Sequence, residues 1–189
     1  MPSHFRNRKP PTETDPTLDA IDRRILRALQ RDSAIANQAL ADMIGLSPPA
    51  CLKRVRRLKA AGVIGRTVAL LSPEAIGYPL LTVARVKLNR PTEKSMREFE
   101  QRMKALPRVA QCLTVSGDID YVVTIRSRDV AHYQEFARQV LATAPAIRSY
   151  TSEIVLAVNK WTTEIPVDED REPANHRVAR TSGVATGRR

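Results

Sequence analysis

Apolar residues recur at three- and four-residue spacing from Leu18 onward, and Leu18, Ile21, Ile25 and Leu29 form one stripe that predicts a helix. Asp19 and Asp22 fall in its first turn and Arg27 and Arg31 in its last, the order a helix dipole favours. A second, shorter helix over about 37–44 presents Leu40, Met43 and Ile44, and Gly45 stops it because glycine takes the left-handed C-cap freely. Ser47 is placed to cap a third helix, its hydroxyl accepting from a first-turn amide, and Pro48 at the first helical position loses no needed hydrogen bond. The inward stripe of that helix is Cys51 or Leu52, with Val55 and Leu58. Pro49, Ala50, Lys53, Arg54, Arg56 and Arg57 are left pointing outward. Gly62 ends the helix, and VIGRTVALL (63–71) reads as a strand.

After Gly77 the period changes. LLTVARVKL (80–88) alternates as a strand, and residues 93–106 carry helical spacing at Met96, Phe99, Met103 and Leu106. VAQCLTV (109–115) and YVVTIRS (121–127) read as strands around a tight SGDID turn. A helix over 129–143 and a last strand over 147–158 follow. The fold class is α+β: three helices and a strand make a winged helix-turn-helix, and the order βαββαβ makes a ferredoxin-like domain with both helices on one face of an antiparallel sheet. Many candidate residues of the other face are apolar, which predicts sheet-to-sheet pairing of two chains.

The predicted organisation is an arm (1–17), a DNA-binding head (18–79, helix-turn-helix about 37–56, wing or linker strand 63–78), a second domain (80–160) and a tail (161–189). The arm and most of the tail read as disordered, because Pro, Thr, Gly and charge crowd out core-forming residues. The formal net charge of +11 is uneven. Residues 1–66 hold 13 Lys and Arg against 6 Asp and Glu, whereas residues 67–166 hold 13 against 10. A basic excess in one half suits a polyanion, duplex DNA first and an acidic membrane surface second. Lys53, Arg54, Arg56, Arg57 and Lys59 have no acid among them to neutralise them within their own helix.

Cys51 and Cys112 are too few for a disulfide framework or a thiolate metal site, and each reads as a small core residue. Of the histidines, His132 lies in a predicted helix while His4 and His176 lie in the arms, so no metal and no cofactor are expected. No apolar run spans a bilayer and the polar, proline-rich start is no secretory signal, which predicts a cytoplasmic protein. Trp161 and Tyr150 read as interface or core aromatics.

LDAIDRRILRALQRD (18–32), GLSPPACLKRVRRLKAAGVI (45–64) and VSGDIDYVV (115–123), in that order and at that separation, resemble the leucine-responsive and asparagine regulator (Lrp/AsnC) family of transcription factors. The resemblance implies a regulator that dimerises, assembles further into octamers or similar rings, and answers to a free amino acid bound between its C-terminal domains. By motif match it assigns the DNA-reading helix to Ser47, Pro49, Lys53, Arg54 and Arg57, beside the outward Ala50 and Arg56. It assigns the effector loop to Ser116, Gly117, Asp118 and Asp120. Exposed amides of such a loop can hold a carboxylate, and Asp118 or Asp120 can meet an α-ammonium. Where the family often has Gly and then an aromatic after the third helix, this chain has Arg66 and Thr67. Two other readings use the same plan: an enzyme like the haem-precursor decarboxylases, and an architectural DNA-compacting protein with little sequence preference.

Overall fold

The computed structural model describes residues 17–167, which divide into two units. One holds residues 17–68 together with 162–167, and the other holds Ala69–Trp161. All of the expected arm but Thr17, and the tail from 168, with His4 and His176, lie outside the described residues.

The head is three helices: α1 (Ala20–Arg31), α2 (Asn37–Ile44) and α3 (Pro48–Ala60). Asp19 caps α1 in a reciprocal capping box with Asp22, which satisfies two amides that the first turn leaves open. Gly45 takes φ 78°, so the chain can reverse between α2 and α3 at a position where a side chain would be strained. Ile25, Leu40, Ala41, Ile44, Cys51 and Leu58 close the core. The inward stripe of α3 therefore runs through Cys51, which is fully buried, and Leu52 is exposed.

Residues 63–71 do not form the expected strand. The amides of Val63 and Ile64 return to the Leu58 carbonyl at 3.0 and 3.2 Å, and both side chains pack on the head core. The stretch after them has no ladder partner among the described residues. A strand is held by a neighbour's hydrogen bonds, so β-branched composition alone cannot make one here. Val68, Leu70 and Leu71 remain exposed.

The second unit runs β1 (Leu80–Leu88), α4 (Glu93–Ala105), β2 (Val109–Thr114), β3 (Tyr121–Ser127), α5 (Val130–Phe136) and β4 (Ile147–Ile154). The sheet order is β2-β3-β1-β4 with every pair antiparallel, the ferredoxin-like arrangement expected. A π-helical turn, Ala137–Leu141, follows α5 where a continuous helix was expected, and the Ala142 amide reaches the Ala137 carbonyl across it. Alternate residues of β1 and β3, among them Ala84, Val86, Tyr121, Val123 and Ile125, point into one core beneath Phe99, Met103, Tyr133 and Phe136.

The opposite sheet face is less apolar than the sequence suggested. Val83, Val122 and Leu113 share it with Arg85, Thr124 and Glu153, and Arg85 Nε donates to Glu153 Oε1 at 3.0 Å across the β1–β4 pair. β4 stops at Ile154 rather than at 158, and Leu156 beyond it is almost wholly exposed.

Candidate nucleic-acid interface and effector loop

The pitch of α3 decides which of its cations face out. Pro49, Lys53 and Arg56 recur at i, i+4 and i+7, one stripe opposite the buried Cys51 and Leu58, and all three are exposed. Lys53 and Arg56 have no acidic partner among the described residues. Ser47 stands at the N-cap, as its type and position suggested, but its hydroxyl makes no capping bond. It is exposed at the mouth of the helix, with no hydrogen-bond partner for its oxygen among the described residues. Ala50 is half-buried on the flank between these faces.

Arg54 and Arg57 lie on that flank and turn to α1. Arg54 Nη1 donates to Asp19 Oδ2 at 2.6 Å and to Asp22 Oδ1 at 3.0 Å, while Arg57 Nη2 donates to the other oxygen of Asp22. The Asp22 side chain is fully buried, whereas those of Arg54 and Arg57 are 28% and 50% exposed. Burial opposes ionisation of Asp19, yet the Asp22 amide and the Arg54 guanidinium outweigh it and hold that carboxyl below its ordinary value. The acids that neutralise these arginines come from another helix, although α3 itself holds none.

The tie from Asp19 and Asp22 to α3 is the feature that local pattern does not display. A signal was present: Asp22 occupies the stripe position between Leu18 and Ile25, and a carboxylate on a core-facing stripe needs a cation from a neighbouring element. Two further bonds set the angle between the helices. Arg24 Nη2 meets the Met43 carbonyl at the C-terminal end of α2 at 3.2 Å, and Asn37 Nδ2 reaches the Pro48 carbonyl at 2.9 Å.

In the second unit the β2–β3 loop, 115–120, divides its own residues. Asp120 is tied in: its Oδ2 accepts from the Leu88 amide at 2.7 Å, its amide donates to the Val86 carbonyl at 3.0 Å, and its carbonyl accepts from the Val115 amide at 3.0 Å. The last β1–β3 pair is Val86–Tyr121, so the carboxylate takes up the Leu88 amide that β3 no longer reaches. Ser116, Gly117 and Asp118 are exposed, and Gly117 takes φ 123°, a conformation that favours glycine. Apart from its chain neighbours, no described residue lies within 4 Å of where a Gly117 Cβ would stand. Of the two acids considered for an ammonium, Asp118 is thus the open one.

His132 is committed to the fold. Its Nδ1 accepts from the Arg128 amide at 3.1 Å, and its ring lies 6.1 Å from that of Tyr78. Tyr150 is half-buried on the core, while Trp161 is exposed with the Arg126 guanidinium 5.8 Å above its ring. No described helix is long and apolar enough to cross a membrane.

Both units match known families. Residues 18–64 match a winged helix-turn-helix DNA-binding domain, and residues 82–165 match the Lrp/AsnC ligand binding domain. Transcriptional regulator AzlB of Bacillus subtilis (strain 168) is 34% identical over 152 residues, spanning 80% of this chain and 97% of that protein. The leucine-responsive regulatory protein of Haemophilus influenzae is 39% identical over 145 residues, spanning 77% and 87%. Among solved structures, a transcriptional regulator of Neisseria meningitidis in complex with L-Met superposes with a TM-score of 0.77 at 30% identity, covering 80% of this chain and 98% of that one. AsnC of Escherichia coli superposes with a TM-score of 0.73 at 25% identity, covering 80% and 100%. The matches follow the two units described above and run nearly the full length of the relatives, and the chain belongs to the Lrp/AsnC family of transcriptional regulators.

Proposed function

We propose that this regulator binds duplex DNA through the outward stripe of α3 and adjusts that binding to a small amino acid held at the β2–β3 loop. The observation that carries the first half is the exposed stripe of Pro49, Lys53 and Arg56, with Ser47 at its N-terminal end. A helix presented this way after a glycine turn enters a major groove with its N-terminal residues at base edges and its cations at phosphates. Two heads related by a dyad read inverted half-sites about one helical turn, or a multiple of it, apart. The open sheet face supports homo-oligomerisation, as a dimer building to an octamer or similar ring. Apolar Val83, Val122 and Leu113 lie there beside complementary charges.

For the second half, Ser116, Gly117 and Asp118 offer backbone amides and a carboxylate with no partner among the described residues, the pair of groups an amino acid zwitterion needs. The Neisseria structure, a relative with L-Met bound, supports that chemistry. By linkage, a ligand that changes DNA affinity has its own affinity changed by DNA equally.

The test is footprinting on genomic fragments enriched by the full chain, repeated across a panel of amino acids. Discrete protected sites are expected, with loss of protection for Lys53→Ala with Arg56→Ala, and an amino acid response that Asp118→Ala removes. Uniform protection without sites would favour the architectural reading. No thermal shift and no change in affinity with any amino acid would end the effector assignment.

A further inference from the structure

The ion cluster between α1 and α3 bears on how the recognition helix is aimed, a role that rests on the DNA-binding reading above. Asp22 offers one oxygen to Arg54 and the other to Arg57, two residues three apart on α3, and Asp19 holds Arg54 from a second side. Two anchors one turn apart, fixed to one carboxylate, oppose rotation of a helix about its own axis more strongly than apolar packing, which tolerates sliding. Rotation is the coordinate that matters for reading DNA, because it decides whether Lys53 and Arg56 or their neighbours meet the groove.

We infer that Asp22 is a positioning residue for DNA recognition, and that Arg54 and Arg57 are its anchors on α3 rather than phosphate contacts. Lys53 and Arg56 carry the phosphate contacts of this helix. The four cations therefore fall into two pairs with different duties, although their spacing along the sequence makes them look alike. Asp19 shares the load: it also accepts from the Asp22 amide at 2.7 Å, so the cap of α1 and the anchoring of α3 are one bonded unit.

Counting phosphate contacts separates these duties. Each contact adds about 0.9 to the slope of log affinity against log salt on duplex DNA. Anisotropy titrations of the full chain on a labelled mixed-sequence 40-base-pair duplex at several salt concentrations give that slope. Lys53→Gln and Arg56→Gln are each expected to make it shallower by about one unit, and Arg54→Gln to leave it unchanged. Asp22→Asn, measured well below its melting temperature, is expected to steepen it, since the Arg57 guanidinium loses its only carboxylate among the described residues and becomes free to reach a phosphate, while Asp19 keeps Arg54. A residue that only stabilised the head would leave the slope of the folded Asn variant at the wild-type value.

The inference is overturned if Arg54→Gln flattens the slope as Arg56→Gln does, or if folded Asp22→Asn keeps the wild-type slope. Should Asp22→Asn fail to fold, the Arg54→Gln arm still decides. A wild-type chain with no salt-dependent affinity would instead overturn the DNA-binding reading itself, a distinguishable result.

Discussion

A single carboxylate shows why residue identity outweighs local charge in this protein. Asp22 has no exposure, and stranding it without a cation costs roughly 3–5 kcal/mol for a fully buried ion. Solvent around the half-exposed Arg57 reduces that figure. Arg54→Ala combined with Arg57→Ala should therefore lower the stability of the head by about 2–4 kcal/mol in chemical denaturation. Lys53→Ala with Arg56→Ala should change it by less than about 0.5 kcal/mol per site. Loss of both anchors unsettles the head itself, so weakened DNA binding in that double variant would not by itself show contact with DNA.

His132 makes the second unit sensitive to acid. Burial, with the Arg108 and Arg128 charges adding and Asp129 and Glu135 opposing, holds its imidazole below the ordinary value of 6.5. The folded state then binds the proton less readily than the unfolded chain, so stability falls as pH drops through 6.5. The second unit should melt lower at pH 5 than at pH 7.5 by calorimetry, and His132→Gln, which keeps an acceptor for the Arg128 amide, should shrink the difference.

Elements differed in how far their residues announced them. The strands β1 and β3 were legible because alternation and a buried face coincide in them, and α1 to α3 because apolar spacing, capping residues and glycine stops agree. The run after α3 misled for the opposite reason: Val63, Val68, Leu70 and Leu71 have strand character, but pairing is a property of two segments and is not written in one. The π-helical turn after α5 has no compositional mark. In the site, the outward stripe of α3 was readable from its period, while the hold of Asp19 and Asp22 on Arg54 and Arg57 spans more than thirty residues. Asp120 was hidden in the same way, since its partner is an amide on β1.

At the largest scale, a late segment of the chain returns to the first helix. Gln30 on α1 clasps the backbone of Ile165, its Nε2 donating to the carbonyl at 3.0 Å and its Oε1 accepting from the amide at 2.7 Å. The tail is therefore pinned to the head at Ile165, just before the stretch from 166 that composition marks as loose, by two bonds. Gln30→Leu should release it and raise the rate of tryptic cleavage after Lys160, detected by mass spectrometry.

Proximity decides whether the Pro49, Lys53 and Arg56 face of α3 lies against DNA. A thiol-linked photocrosslinker placed at Lys53→Cys can be compared with one at Thr151→Cys on the open sheet face, each exposed to a labelled mixed-sequence duplex. The native thiols interfere little, since Cys51 is fully buried and burial, with the Glu100 charge, pushes Cys112 up to about 11. Salt-sensitive crosslinks are predicted from position 53 and none from position 151; crosslinks from 151 with none from 53 would contradict the claim.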